Sequence, residues 1–460
     1  SILDKKLEFL PLKSAAHIEC GNALTRNWHE IVPDGVDYII SNPPFVGKTF
    51  RTKEQQAEMS GVFADVKGSG NLDYVACWFR KAADFMIGTQ TRAALVSTNS
   101  ICQGESIGLL WKKLFETIHI DFAYRTFKWI SDSDDPAAVH CTIIGFSHAP
   151  NDRPKLIFDG DRKIVASNIN AYLLDAPNFF VEKRNAPICN VPRMGVGNRP
   201  ADGGNLIIKA DEYDDFIRRE PAARKFIRPL IGAEEFINGK RRYCLWLVDA
   251  TAEEIASMPL IAERVEAVRQ YRLQGAADRQ KLASKPHLFR EQINPDRCIV
   301  VPRVSSERRR YVPMAFINNQ VICTDRMALI PNADIFHFGV LESIVHMAWM
   351  RVTCMRLKSD YSYSKDIVYN NFIWPTATNA QKTRIAEAAQ GILDARAKYP
   401  NSTLADLYNQ DLMPPELLKA HQANDRAVMQ AYGMPIKETD EAACVAWLMR
   451  LYQEKVSAQA

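Results

Sequence analysis

The sequence has little excess charge of either sign, because 58 Lys and Arg residues face 54 Asp and Glu residues and leave a net charge of +4 over 460 residues. Any affinity for a polyanion must therefore come from local clusters of charge, and a histone-like binder is excluded. The ten cysteines form no CxxC pair and no cluster with histidine. That absence favours free buried thiols in a reducing cytoplasm over disulfides or a metal site.

Long apolar runs are also missing, since no stretch approaches the roughly 18 residues that span a bilayer, and we expect no membrane partner. The first residue is Ser1 and not Met, which favours a piece of a longer protein. The composition, with 47% hydrophobic and 24% charged residues, is typical of a globular chain with two or three domains.

The chain has four regions that differ in their pattern of apolar and polar residues. Residues 1–150 alternate short apolar runs with helical patterns, which predicts an α/β fold with a mostly parallel, doubly wound sheet that ends in a hairpin. Residues 151–189 are predicted as a connector, 190–376 as a mixed α+β module, and 377–460 as a helical region. Helices are predicted near residues 73–86, 106–118 and 338–355.

The segment Asn42-Pro43-Pro44-Phe45 directly follows the apolar run Val36–Ser41. Two prolines remove two N–H donors and fix the backbone, so the Asn42 side-chain oxygen and the Pro43 carbonyl can both point at one ligand. Two converging acceptors suit an amino group on a heteroaromatic ring, because they localise its lone pair toward an electrophilic methyl group. Phe45 offers a face on which the ring can stack. The alternative is an ordinary Asn-Pro turn.

This segment resembles motif IV of S-adenosylmethionine-dependent amino-group methyltransferases, and the Asn form points to adenine N6 more than to cytosine N4. Residues 18–28 are similar to motif III, 70–78 to motif V, 93–99 to motif VI, and 127–129 with the run that starts at Ala138 to motif VIII. The resemblance implies a partial Rossmann-like class I methyltransferase sheet. It implies cofactor contacts from Asn22, Ala23, Asn42 and Leu72, and stacking on the flipped base by Phe45 and by either Phe127 or Trp129.

The motif order is that of the γ class, and long stretches resemble the MmeI-like (type IIG/IIL) restriction-modification group. Four of the supporting signatures start at Gly203, Arg242, Ser284 and Tyr369. The resemblance therefore implies a sequence-specific adenine-N6 methyltransferase of double-stranded DNA.

Gly68-Ser-Gly-Asn71 looks like the glycine turn of motif I, but its entry segment, Val62–Lys67, is interrupted by charge and does not read as a strand. We therefore assign it to the motif V loop. Motif I and the acidic residue of motif II are then expected upstream of Ser1, in the same parent polypeptide as a nuclease domain.

Residues 281–310 hold eight basic and three acidic residues, a local charge of +5. Such clustering supplies phosphate contacts, and Arg and Glu at alternate positions of a strand would face a major groove. In the MmeI-like resemblance, Glu307 and Arg309 read one base pair, and Arg303 and Lys285 are further candidates for DNA recognition. The alternative is a solvated charged hairpin.

Two other functions remain open. Asn-Pro-Pro-Tyr-type motifs also serve protein glutamine methyltransferases, whose amide nitrogen poses the same chemical problem. The chain could also be a DNA-binding specificity fragment without activity of its own. The oligomeric state is left open.

Overall fold

The computed structural model describes residues 18–33, 35–129, 139–150, 152–357, 359–437 and 439–459. The chain divides into two compact units. The first contains Ser1–Ile101 and Leu109–Asp175, and the second contains Cys102–Gly108 and Ala176–Ala460.

A six-stranded sheet forms the centre of the first unit. Its strands are β1 (Tyr38–Ser41), β2 (Arg92–Thr98), β3 (His119–Trp129), β4 (Val139–Ser147), β5 (Lys155–Asp159) and β6 (Arg162–Ala166), in the order β1-β2-β4-β3-β5-β6. The alternation of β2 buries Ala93, Leu95 and Ser97 on one face.

The α/β class is confirmed, but the expectation of a mostly parallel sheet is wrong for the described strands. Within this six-stranded sheet, only β1 with β2 and β3 with β5 pair in parallel. The reason is that β4 lies between β2 and β3 and runs antiparallel to both. The expected hairpin is therefore inserted into the sheet and not appended to its edge.

The helices of the first unit are α1 (Trp28–Ile31), α2 (Lys53–Val62), α3 (Ala76–Met86) and α4 (Lys112–Leu114). Helix α3 matches the prediction for residues 73–86 and packs Phe79 against Phe146 of β4, with ring centroids 5.5 Å apart. The prediction of one regular helix over 106–118 is wrong, because a π-helical turn at Ile107–Trp111 precedes the short α4.

The second unit contains the strands of the mixed module. They are β7 (Gly195–Val196), β8 (Ile207–Lys209), β9 (Ile227–Ile231), β10 (Arg242–Leu245), β11 (Arg297–Pro302), β12 (Val304–Ser305), β13 (Ala315–Asn318), β14 (Ile322–Cys323), β15 (Met327–Pro331), β16 (Met355–Leu357) and β17 (Asp360–Ser362). They form three sheets, in the orders β14-β9-β10-β8, β13-β11-β15-β7 and β12-β17-β16.

Eleven helices complete this unit within the described residues. They are α5 (Tyr213–Arg219), α6 (Ala233–Asn238), α7 (Ala252–Ala256), α8 (Pro259–Leu273), α9 (Ala277–Gln280), α10 (Ile335–Leu341), α11 (Ile344–Thr353), α12 (Asn379–Ala397), α13 (Leu404–Leu407), α14 (Pro415–Ala431) and α15 (Glu441–Ser457). The single helix predicted over 338–355 is two helices, because the Ser343 side chain caps a new helix start at Ile344. The helical C-terminal region is confirmed by α12 to α15.

Eight of the ten cysteines are buried as free thiols. None of the helices in the described part of the chain is long and apolar enough to cross a membrane.

Candidate functional site

The Asn42–Phe45 segment leaves the sheet at the carboxyl end of β1. Asn42 is exposed, Pro43 is buried and Phe45 is half-buried, so the loop is anchored by a proline while its amide faces solvent. Because β1 and β2 are parallel and Ser41 pairs with Leu95, this loop and the end of β2 lie at the same edge of the sheet. Ligands bind at this edge in open α/β sheets.

Asp73 ties the loop to two other segments, and sequence reasoning did not identify it as a site residue. Its Oδ1 accepts hydrogen bonds from the backbone amides of Val46 and Val75, each at 3.2 Å, and its Oδ2 accepts one from Thr98 Oγ1 at 3.4 Å. The amide of Tyr74 also donates to the Val46 carbonyl, at 3.1 Å. Burial raises the pKa of the Asp73 carboxyl, which its hydrogen bonds partly counteract.

The residues expected to touch a cofactor differ in their surroundings. Asn22 is exposed; its Nδ2 donates to Glu58 Oε1 at 2.5 Å and its Oδ1 accepts from the Leu24 amide at 2.9 Å. Ala23 is also exposed, and its carbonyl accepts from Trp28 Nε1 at 2.8 Å. The Leu72 side chain is only 1% exposed and faces the interior of the unit.

Glu58 of α2 connects Asn22 to Tyr74, which lies in the segment of residues 70–78. Its second carboxylate oxygen accepts a short hydrogen bond from the hydroxyl of Tyr74. Burial, together with this bond, raises the pKa of Tyr74 well above its usual value, so the phenol stays protonated. Asn22, Glu58 and Tyr74 thus form one chain of hydrogen bonds beside the loop that holds Asn42.

Phe127 and Trp129 lie at the end of β3, at the same edge as the end of β2. Phe127 pairs with Cys141 of β4, and Trp129 pairs with Val139 of β4. Cys141 also pairs with Thr98 of β2 on its other side. Phe127 is half-buried and the Trp129 side chain is 42% exposed, with their ring centroids 6.3 Å apart. Ala138 lies outside the described residues.

Strand β1 has exposed apolar side chains, which distinguishes it from the buried β2. Tyr38 is 62% exposed and Ile40 is 80% exposed. Both residues line two cavities, of about 390 and 620 Å³. Gly21 and Ala23 also line the smaller one.

In the second unit, the expected reading pair lies in a turn and not on a strand, which corrects the predicted placement. Strand β12 ends at Ser305, and the Ser306 carbonyl then accepts a hydrogen bond from the Arg309 amide at 3.2 Å. The Ser306 hydroxyl also accepts from the Arg308 amide, at 3.3 Å. We call Ser305–Arg310 the reading loop.

The candidate recognition residues have different exposures and contacts. Glu307 is exposed and pairs with Arg356 at 3.5 Å, whereas half-buried Arg309 donates from Nη1 to Ser305 Oγ at 3.3 Å. Burial lowers the pKa of the Arg309 guanidinium. Arg303 is half-buried and donates from Nη1 to the Asp325 carbonyl at 2.8 Å, and Lys285 is exposed elsewhere in the unit, after the turn Lys281–Ser284.

Two other arginines of the basic stretch are engaged in contacts within the protein. Arg290 pairs with Asp278 at 3.3 Å, and Arg297 lies over the ring of Phe316, 4.5 Å from its centroid. Tyr361 is buried.

Arg272 holds the segment that carries Lys285, and no sequence signal singled it out. Its guanidinium is buried and donates to five backbone carbonyls at 2.7–3.0 Å, those of Pro200, Ala201, Leu282, Lys285 and Leu288. Burial lowers the pKa of this guanidinium. A buried cation shared among carbonyls fixes the main chain of both segments.

Comparison with known proteins gives matches along almost the whole chain. Family models match in three consecutive parts: the DNA-methyltransferase domain of MmeI at residues 2–159, its target recognition domain at 175–376 and its C-terminal domain at 377–459. A Bacillus subtilis (strain 168) protein named DNA methyltransferase A is 40% identical over 452 residues, which cover 97% of this chain and 51% of that protein.

The structure of the type IIL restriction-modification enzyme MmeI in complex with DNA is similar to this chain, with a TM-score of 0.92 and 41% identity. The match covers 97% of this chain and 61% of that one. The chain therefore spans between half and two thirds of the length of these two relatives. The resemblance to the MmeI-like group is confirmed: this chain belongs to the MmeI-like family and carries its DNA-methyltransferase, target recognition and C-terminal domains.

Proposed function

We propose that the protein transfers a methyl group from S-adenosylmethionine to the N6 amine of adenine in double-stranded DNA, at a specific sequence, within a restriction-modification enzyme. The observation that carries the proposal is the exposed Asn42 amide on a proline-anchored loop at the carboxyl end of β1, inside a DNA-methyltransferase domain. The similarity to MmeI, whose structure was solved with DNA, supports the choice of substrate.

Asn42 and Pro43 supply the chemistry at the amine. The Asn42 Oδ1 and the Pro43 carbonyl each accept a hydrogen bond from one N–H of the adenine amine, which localises the nitrogen lone pair. Alignment of that lone pair with the methyl donor supplies most of the rate, and the proton that the methylated nitrogen then loses goes to solvent, so no general base is required. Asp73 acts through the loop, because its contact with Val46 fixes where the loop leaves the sheet.

The residues present fit part of a cofactor site. The exposed Asn22 and Ala23 and the amide of Asn42 would contact it, while the buried Leu72 would contribute only through its backbone. S-adenosylmethionine, when bound, supplies an electrophilic methyl group on a sulfonium.

An adenine inside a duplex is out of reach of this edge of the sheet, so the base must flip out of the helix. Phe45 supplies a face for the flipped base, and Phe127 or Trp129 supplies a second one, which replaces the stacking lost from the duplex. The reading loop recognises the sequence, with Arg309 donating to guanine and Glu307 accepting from cytosine N4. Arg303 and Lys285 add contacts in the same module, where phosphates are the commonest acceptors.

The proposal is tested with the full-length protein by transfer of labelled methyl groups to unmodified DNA, with gel shifts at two salt concentrations. We expect Asn42→Ala to abolish transfer and to leave specific DNA binding within about twofold, since the flipped base is the only part of the DNA that this loop contacts in the proposal. Asn401→Ala, an exposed Asn in the helical region, is the control and should change neither measurement.

Four results would contradict parts of the proposal. Transfer that persists in Asn42→Ala would exclude the mechanism, and label on cytosine N4 would exclude adenine as the target base. Label on protein and not on DNA would favour the alternative that this chain is a protein glutamine methyltransferase. Sequence-specific binding without transfer by the wild-type protein would favour the inactive specificity fragment.

A further inference from the structure

The reading loop is held through its main chain by one arginine of α11. Arg351 Nη2 donates to the carbonyl of Arg309 at 3.3 Å and, through a shorter bond, to that of Arg310. Its Nη1 pairs with Glu441 of α15 at 3.0 Å, and its Nε donates to the hydroxyl of Tyr361 at 3.2 Å. The frame of the loop is thus fixed from a helix and a strand that follow it in the sequence.

A second arginine contacts the Glu307 side chain of the reading loop. Arg356 of β16 forms an ion pair with Glu307, at 3.5 Å between Nη1 and Oε2. The same guanidinium lies over the ring of Tyr361, 4.0 Å from its centroid, and its Nη1 donates to the Ser359 carbonyl at 3.0 Å. Arg356 is therefore the anchored member of the pair, since its side chain is 20% exposed against 45% for Glu307.

This arrangement matters for base reading because a glutamate side chain has several rotamers. A carboxylate that is free to rotate must lose that freedom when it accepts a hydrogen bond from a base. An ion pair with a stacked, hydrogen-bonded arginine orders one carboxylate oxygen beforehand and leaves the other oxygen available. Tyr361 serves as the platform because its ring is buried and because, on β17, it pairs with Ser305 of β12 on one side and with Arg356 of β16 on the other.

We propose that Arg356 is a positioning residue for sequence recognition, which orients the Glu307 carboxylate toward its base. Specificity at the base pair read by Glu307 and Arg309 then depends on a third residue, on β16. The inference rests on the proposed function, because it assumes that the reading loop contacts DNA bases.

The test uses the full-length protein with Arg356→Gln, Glu307→Gln and the double variant. The methylated sequence is first identified by sequencing modified DNA from cells that express the wild-type protein. Rates of methyl transfer are then measured on the cognate duplex and on duplexes with one substituted base pair at each position. Arg297→Gln is the matched control, because it removes another arginine stacked on a ring of the same module.

We expect Arg356→Gln to lower the discrimination between base pairs about tenfold at one position of the methylated sequence. That position should be the one at which Glu307→Gln also lowers discrimination. A change of about tenfold is typical of the loss of one well-oriented base contact. Discrimination at the other positions should not change. In the Glu307→Gln background, Arg356→Gln should have no further effect, since it acts through that carboxylate. Arg356→Lys, which keeps the charge and loses the planar stack, should give a smaller loss at the same position.

Equal effects of Arg356→Gln with and without the Glu307 carboxylate would overturn the inference, because the arginine would then act on the DNA directly. A uniform loss at all duplexes, accompanied by a lower melting temperature, would also overturn it and assign Arg356 a structural role. If neither Glu307→Gln nor Arg309→Gln changed discrimination at any position, the proposed reading pair itself would be wrong.

Discussion

Replacing Asp73 tests how strongly the Asn42–Phe45 loop, proposed to be catalytic, depends on a residue outside it. Asp73→Ala removes the acceptor of three donors, two backbone amides and the Thr98 hydroxyl. A buried donor left without a partner costs about 1–3 kcal/mol, and Thr98 can still bond to Ser100 Oγ at 2.6 Å. We therefore expect the free energy of unfolding to fall by about 2–4 kcal/mol.

The effect on methyl transfer should exceed what the loss of stability explains. With Asp73 gone, Val46 keeps only the hydrogen bond from the Tyr74 amide, so the loop that carries Asn42 can shift. A misplacement of about 1 Å at a reacting group costs on the order of 100-fold in rate. Single-turnover transfer of labelled methyl groups, at a temperature where the variant stays folded, measures this step.

Asp73→Asn separates geometry from charge. The amide oxygen can accept from both backbone amides, and the amide NH2 can donate to the Thr98 oxygen. Because burial raises the pKa of Asp73, loss of the charge should cost little. We expect a rate within about threefold of the wild type, and the same for the control Asp84→Ala, an exposed carboxylate on α3. An undiminished rate in Asp73→Ala would refute the reasoning, and an equally poor Asp73→Asn would show that the charge is needed.

Two further predictions concern the second unit. Arg272→Lys should lower the free energy of unfolding in urea by about 2–4 kcal/mol, because an ammonium group cannot serve five carbonyls, whereas Arg269→Lys on the same helix should change little. Burial raises the pKa of Asp425 to about 6, above its unfolded value near 3.8, so this group stabilises the fold fully below pH 4 and loses that contribution as the pH rises through 6. The Asp425→Asn variant, which cannot ionise, is the reference. Relative to it, the free energy of unfolding of the wild type should fall by up to about 3 kcal/mol between pH 4 and 7. A difference between the two proteins that stayed constant with pH would contradict this prediction.

The parts of the fold that depend on local pattern could be predicted from the sequence. The alternation of β2 and the apolar face of α3 are visible within a dozen residues. The position of β4 between β2 and β3 could not be predicted in the same way, because it depends on pairings between distant segments. A similar limit explains the turn at Glu307, where hydrogen bonds of Ser306 end a strand that the alternating charges had suggested.

The candidate site shows the same division. Asn42 can be proposed because its chemistry is carried by four consecutive residues. Asp73 was missed as a site residue because its partners Val46 and Thr98 are 27 and 25 residues away along the chain. Arg272 was missed because it binds backbone carbonyls, and carbonyls leave no signature in an amino-acid sequence.

Arg351 holds the reading loop through bonds that do not depend on the side chains of the loop. Arg351 binds the carbonyl oxygens of Arg309 and Arg310, which would be present whatever side chains stood at those positions. Under the proposed function, substitutions at Glu307 and Arg309 can therefore alter the preferred bases without removing the bonds that shape the loop. The shape of this loop thus depends on main-chain bonds, and the side chains at Glu307 and Arg309 can differ while the surrounding fold stays the same.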